Sequence, residues 1–184
     1  MKHYLSIDID FWHNIDVAKR QLNKLFLKSG SIPKVAVMNH QQMLSFVDNS
    51  GASMLINVDE HSDVCNKNTD RFECGSWISY VNWRKQGEYF WIRNSRDLTH
   101  GSCNGQDPWN FDLDWNKVKS IYSKQEIDLC KYLKGCVGIG LCLSPCYCYN
   151  GAENIFRDMI NKYNIPYKRG RRNEYFGAKR KPPE

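Results

Sequence analysis

Several things are missing from this 184-residue chain, and each absence removes a class of function. No stretch approaches the ~20 consecutive apolar residues that a bilayer-spanning helix needs. Among the eight cysteines there is no C-x-x-C pair, which argues against a zinc knuckle. The tightest group, Cys142-Leu143-Ser144-Pro145-Cys146-Tyr147-Cys148, runs C-x3-C-x-C and misses the spacing of an iron–sulfur site. Nor does a basic leader with an apolar core precede the first strand pattern, so no secretory signal is expected and the expected location is cytoplasmic. The cysteines are therefore read as reduced and mostly structural. Cys142 is read as a small buried thiol in the alternating run Val137–Leu143.

Charge is present but unevenly placed. From Lys168 onward seven basic residues stand against two acidic ones, so most of the formal +6 lies there. The expected organisation is one domain over residues 1–167 and a basic tail over 168–184. The tail offers a contact for nucleic acid or an acidic partner. A solvated terminus ending in Pro182-Pro183 is the preferred reading. The body has ordinary apolar and charged fractions, and its length permits a sizeable single core.

Strand and helix patterns alternate along that body. Strands are predicted at 3–9, 34–38, 53–58, Tyr89–Ile92, Val118–Tyr122 and Cys136–Leu143. Helices are predicted at Ile15–Lys28, Gln41–Val47, Trp77–Gln86, Lys124–Leu133 and Glu153–Tyr163. Asn94–Asn116 shows no period and reads as a long loop, a place where function is often found. Repeated β–α units predict an α/β fold with a mainly parallel open sheet flanked by helices.

The chemistry is concentrated where predicted strands end. Asn57-Val58-Asp59-Glu60-His61-Ser62-Asp63 reads D-x-H-x-D. In an extended segment alternate residues share a side, so Asp59, His61 and Asp63 are expected to converge while Glu60 and Ser62 face away. Asp8 and Asp10 likewise form a D-x-D after an apolar strand, and Asn39-His40 follows the run Lys34–Met38. Ligands in open α/β sheets bind beyond the carboxyl ends of strands. Two carboxylates and an imidazole suit a divalent cation of the Mn, Fe or Zn kind.

These words resemble a known family. Asp59-Glu60-His61-Ser62-Asp63 resembles the D-A-H-x-D motif of the arginase and agmatinase (ureohydrolase) superfamily. Ser6-Ile7-Asp8-Ile9-Asp10 resembles its S-x-D-x-D, and Asn39-His40 stands where its G-G-D-H would. With Phe11-Trp12, Gln41-Gln42 and Gly75-Ser76-Trp77-Ile78, the words look closest to a divergent branch that includes peptide arginases. The matches cover residues 6–78, and Ser144-Pro145 is a weaker echo. The sequence departs from the family in motif order, as though permuted, in lacking the Asp-Pro after the D-x-D, and in length. The resemblance implies a three-layer α/β/α fold with two divalent ions, most often Mn(II), with Fe(II) or Zn(II) as options. His40 would bind one ion and His61 the other. Asp8, Asp59 and Asp63 would be shared or bridging carboxylates, and Asp10 would complete the second ion.

The implied reaction is attack of an activated hydroxide on a guanidinium carbon, releasing urea and an amine. The substrate would be a small guanidino compound or an arginine-containing peptide. The leaving amine needs a proton, for which His13 is the first candidate and His100 the second. Glu73 or Asp70 would pair with the guanidinium. Trp12, Trp109 and Trp115 offer aromatic faces for it, whereas Trp77, Trp83 and Trp91 are expected in the core. His3 is expected to face out from its strand. Other classes remain open: a dinuclear phosphoesterase, a deacetylase-like amide hydrolase, or a non-catalytic binder stabilised by metal. After His61 only His100 remains to supply the later histidines that a phosphoesterase expects.

Overall fold

The computed structural model describes residues 1–64, 74–83, 87–94, 118–145 and 147–169. Among these described residues seven strands form one open sheet: β1 (His3–Asp8), β2 (Lys34–Val37), β3 (Met54–Val58), β4 (Glu88–Arg93), β5 (Val118–Tyr122), β6 (Cys136–Cys142) and β7 (Tyr167–Lys168). Their order is β5-β4-β3-β1-β6-β2-β7, and every neighbouring pair is parallel. The α/β architecture expected from the sequence is therefore present. β7 was not foreseen; it takes in Lys168, where the basic tail was expected to begin.

All strands point the same way, so their carboxyl ends line one edge. From β1 the chain goes to one side for β2 and to the other for β3. This divergence makes the carboxyl end of β1 a topological switch point, the position where open α/β sheets hold ligands.

The pleat sorts side chains onto two cores. Leu5 and Ile7 of β1, Ile56 and Val58 of β3, and Ile139 and Leu141 of β6 face α1 (Ile15–Lys28) and α3 (Ala152–Tyr163). Tyr4, Leu55, Val35, Val37, Tyr89, Trp91 and Cys142 face the opposite way. There they meet α2 (Leu44–Asp48) and two 3-10 turns, His40–Met43 and Cys74–Tyr80. Helical elements thus cover both faces.

Local signals explain the two long helices. Asn14 caps α1, its side chain accepting from the backbone N–H of Asp16 and Val17, and Ala18, Leu22, Leu25 and Phe26 form the buried stripe. α3 is entered through Gly151 at φ 92° and left through Asn164 at φ 49°, left-handed positions suited to a glycine and an asparagine.

Three expectations need correction. The helix expected over Lys124–Leu133 is only the 3-10 turn Leu129–Tyr132. Gln125 explains why: its carbonyl accepts from Trp12 Nε1 at 2.9 Å and Gln21 Nε2 at 2.8 Å, and its side-chain oxygen accepts from the backbone of His13 and Asn14. Tertiary bonds occupy groups that a helix would use. Of the helix expected over Trp77–Gln86, Trp77–Tyr80 belong to the 3-10 turn Cys74–Tyr80 and Trp83 is helical, with 84–86 outside the described residues. His3 does not face out; it is buried, and its Nε2–H donates to the carbonyl of Tyr132 at 2.6 Å.

Candidate metal centre

Four strand ends deliver the polar residues. Even-numbered positions of β1 share one face, so Ser6 and Asp8 follow Tyr4 on the side away from α1. Asp10 is not on the strand. It sits in a 3-10 turn over Ile9–Phe11, and its backbone N–H donates to Asp8 Oδ1 at 3.2 Å. Turn chemistry, not pleating, brings the two aspartates together.

The D-x-H-x-D also converges by a turn. β3 ends at Val58, and the Asp59 N–H still donates to Ile92 O of β4. Asp59 Oδ1 then accepts from the backbone N–H of His61 at 2.7 Å, a local bond typical of aspartate in turns. Asp63 completes the bend at φ 55°, a left-handed conformation that aspartate tolerates. Extended alternation was the wrong mechanism for a convergence that does occur.

His40 is the hub. It is 1% exposed, and its Nδ1 lies 2.8 Å from Asp63 Oδ2, 2.9 Å from Asp59 Oδ2 and 3.3 Å from Asp8 Oδ2. None of these contacts is aligned as a hydrogen bond, and Nδ1 is a buried polar atom without a hydrogen-bond partner. Its other nitrogen, Nε2, lies 2.7 Å from Ser6 Oγ. Nε2–H donating to Ser6 would leave the Nδ1 lone pair for an ion, the tautomer a metal ligand requires, whereas without an ion the surrounding carboxylates favour a proton on the ring.

A second group lies beside the first. His61 Nδ1 is 3.1 Å from Asp10 Oδ2 and 3.7 Å from Asp59 Oδ1. The ligand atoms of His40, Asp59 and Asp63 lie within 4.8 Å of one another, and so do those of Asp10, Asp59 and His61. Asp59 belongs to both groups, one oxygen toward each. Asp10 Oδ1 is also buried without a hydrogen-bond partner. The donor chemistry of oxygen and imidazole nitrogen fits divalent ions of the Mn, Fe or Zn kind.

The carboxylates are braced from outside. Ser144, at φ 46°, donates its hydroxyl to Asp8 Oδ2 in a short hydrogen bond. Trp77 Nε1 donates to Asp63 Oδ2, and Asn57 Nδ2 donates to Asp59 Oδ2 at 3.2 Å. Gly140 of β6 lets the His40 turn approach the sheet, and Gly138 makes room for the Tyr4 ring of β1. A Cβ on Gly140 would stand 2.2 Å from Met43 Sδ, and one on Gly138 2.6 Å from the Tyr4 ring.

Electrostatics follows from crowding. Burial, followed by the charge of Asp59, pushes the carboxyls of Asp10 and Asp63 up to about 7. Asp8 is pushed well above the carboxylate range by burial and by Asp10. Burial works against protonation of His61, but its bonds to Asp10 and Asp59 overcome this and raise it to about 12. His40 is likewise held well above the usual imidazole value by Asp59 and Asp63, against the effect of burial. Asp59, although buried, is held well below its ordinary value by the two histidines. Without cations, such a cluster is stable only by retaining protons between its anions.

The rim differs from the floor. His61 keeps 24% of its side chain exposed, and the Tyr147 ring lies 5.0 Å from its own. His13 is 45% exposed, with Nε2 3.1 Å from Glu60 Oε1 and its ring 4.8 Å from that of Tyr149. Trp12 does not reach this rim. It is 1% exposed, and its N–H is taken up by Gln125 O, so the sequence-derived substrate role is corrected to core packing. Trp77, Trp83 and Trp91 are core residues, as expected. His100, Glu73, Asp70, Trp109 and Trp115 lie outside the described residues.

Ser6, Asn57, Trp77 and Gln125 were not singled out for the site by sequence. Ser6 and Asn57 carried a usable signal, each lying two residues before a candidate ligand, Ser6 on the same strand face as Asp8. No family model, curated protein or solved structure matches this chain.

Proposed function

We propose that the chain is a metal-dependent hydrolase with an arginase-like dinuclear site, acting on a guanidino C–N bond. The observation that carries this reading is Asp59, one carboxylate shared between two buried imidazole–carboxylate groups. His40, Asp59, Asp63 and Asp8 would hold one ion, and Asp10, Asp59 and His61 the other. When bound, paired divalent ions supply Lewis acidity and lower the pKa of water toward neutrality.

The protein's own residues set the direction of approach. The His40 pole is sealed, so substrate enters over the part-exposed His61. Tyr147 and Tyr149 give that entrance aromatic faces, on which a planar guanidinium stacks favourably. Glu60 adds a carboxylate beside His13. As water oxygen bonds to the guanidinium carbon and the C–N bond to the amine breaks, His13 gives its proton to the departing nitrogen. Glu60 orients the His13 ring for that transfer.

The test is urea release from arginine, agmatine and arginine-containing peptides by the manganese-loaded protein, set against a phosphodiester substrate. Urea formation supports the reading. Phosphodiester turnover without urea would replace it with a phosphoesterase.

A further inference from the structure

The ligands named so far contain only oxygen and nitrogen, yet the fold also brings sulfur to them. Cys142 ends β6 in register with Asp8 of β1 and Val37 of β2. The pleat turns it to the His40 side, while Leu141 and Leu143 join the opposite core. A Cys142 Sγ, an Asp8 oxygen and a His40 nitrogen lie within 4.8 Å of one another, all three residues buried. The sulfur's own contacts are weak, 3.7 Å to Met38 O and 3.3 Å to Ser144 Oγ. An independent sign of a missing ligand is His40 Nδ1, buried and without a hydrogen-bond partner. A thiol that only filled space could lie beside any apolar group; this one lies between a carboxylate and an imidazole.

We infer that Cys142 is a thiolate ligand of the ion at the His40 pole, so that the centre has one sulfur-containing position and one of oxygen and nitrogen alone. This rests on the reading of a two-ion site. On coordination the thiol proton leaves to solvent and a sulfur lone pair binds the ion. The softer position then prefers Zn(II), Co(II) or Fe(II), and the Asp10–His61 position accepts Mn(II). The loaded protein is a mixed-metal species.

The experiment uses the full chain, stripped of metal and titrated with Co(II), with bound metal and near-ultraviolet absorption both measured. Two bound Co(II) are expected, with a sulfur-to-cobalt charge-transfer band that saturates at one of them. Zn(II) should abolish the band and Mn(II) should not. Cys142→Ser should lower the band more than tenfold while the second Co(II) still binds, and Cys136→Ser and Cys148→Ser should retain it. Two Co(II) without the band, or a band indifferent to Cys142→Ser, overturns the sulfur ligand and leaves the two-ion reading standing. Failure to bind Co(II) at all overturns both. If Cys142→Ser does not fold, X-ray absorption of the zinc-loaded native chain decides: a sulfur scatterer at ~2.3 Å supports the inference, and only oxygen and nitrogen near ~2.0 Å overturns it.

Discussion

The indole N–H of Trp77 donates to Asp63 Oδ2 at 2.6 Å, while the Trp77 ring lies 4.9 Å from that of His40. One side chain thereby aims a carboxylate and walls an imidazole. Trp77→Phe keeps most of the wall and removes the donor. The expected result is a stability loss of ~1–3 kcal/mol, the range for a buried bond to a charged acceptor, and a 10–100-fold loss of affinity at one ion, a typical outer-shell effect. Thermal melts and metal titration would measure the two. Unchanged affinity would mean that Asp63 needs no such bracing.

Asp59 bears on both poles, and its neighbours on one each. Asp59→Asn is expected to reduce metal content at both positions, whereas Asp10→Asn is expected to spare the His40 position. Mass-spectrometric metal analysis of purified variants distinguishes them. Equal retention in both variants would remove Asp59 from its bridging role.

The acid–base arrangement has a sign that can be checked. In the metal-free chain Asp10 and Asp63 titrate near 7 when folded, against 3.8 for a free carboxyl, because of burial and then Asp59. Between those limits the two carboxyls hold more protons in the folded chain, so their contribution to stability falls as pH rises from ~4 to ~7 and is gone above. His61, raised to about 12, acts in the same direction: its contribution is complete below 6.5 and is lost as pH climbs toward its folded value. Asp59 opposes this only below ~4. The stability of the metal-free protein should therefore fall from pH 5 to 8, by up to ~1.4 kcal/mol per pH unit per linked proton, and its melting temperature with it. Ions compete with those protons, so the upward shift produced by Mn(II) should grow over the same range. A metal-free profile that rises with pH would contradict the assignment.

His13 stands outside both ligand groups, with Glu60 at 3.1 Å. His13→Ala should lower kcat on the guanidino substrate by about 100-fold, the scale of a lost proton donor, and leave metal content intact. Lowered metal content in this variant would point to a structural role instead.

Gly140 tests the fit of the His40 turn. Its added Cβ in Gly140→Ala meets Met43 Sδ, so ~1–3 kcal/mol of overpacking is expected, with weaker metal binding. Met43→Ala in the same chain should recover part of the metal affinity, since space and not the glycine backbone is at issue.

Much of this arrangement could be read from the chain because the clustered polar residues sit at strand ends, and strand ends are visible as apolar runs that stop. Asp8, His40 and Asp59 follow such runs directly, and the structure brings all three together. The path of the chain beyond each run was less legible. Asp10 and Asp63 arrive through turns whose geometry depends on side-chain-to-backbone bonds and on a positive φ, neither of which leaves a periodic trace. Gln125 has a helical neighbourhood in sequence, but its groups are used by Trp12, His13, Asn14 and Gln21 more than a hundred residues away. Trp12 looked available beside the D-x-D because sequence adjacency does not reveal which side of the sheet a ring takes.

The place of β6 in the sheet has a consequence for biosynthesis. All six oxygen and nitrogen residues proposed as ligands lie within the first 63 residues, and they leave the ribosome early. Asp8 and His40, however, hang from strands that flank β6, which spans Cys136–Cys142. Two strand spacings, ~10 Å, can be set between β1 and β2 only after that later strand is made and inserted. The nascent chain therefore carries the six proposed oxygen and nitrogen ligands before any centre can form, and its last long strand, which also brings Cys142, is the keystone that assembles them.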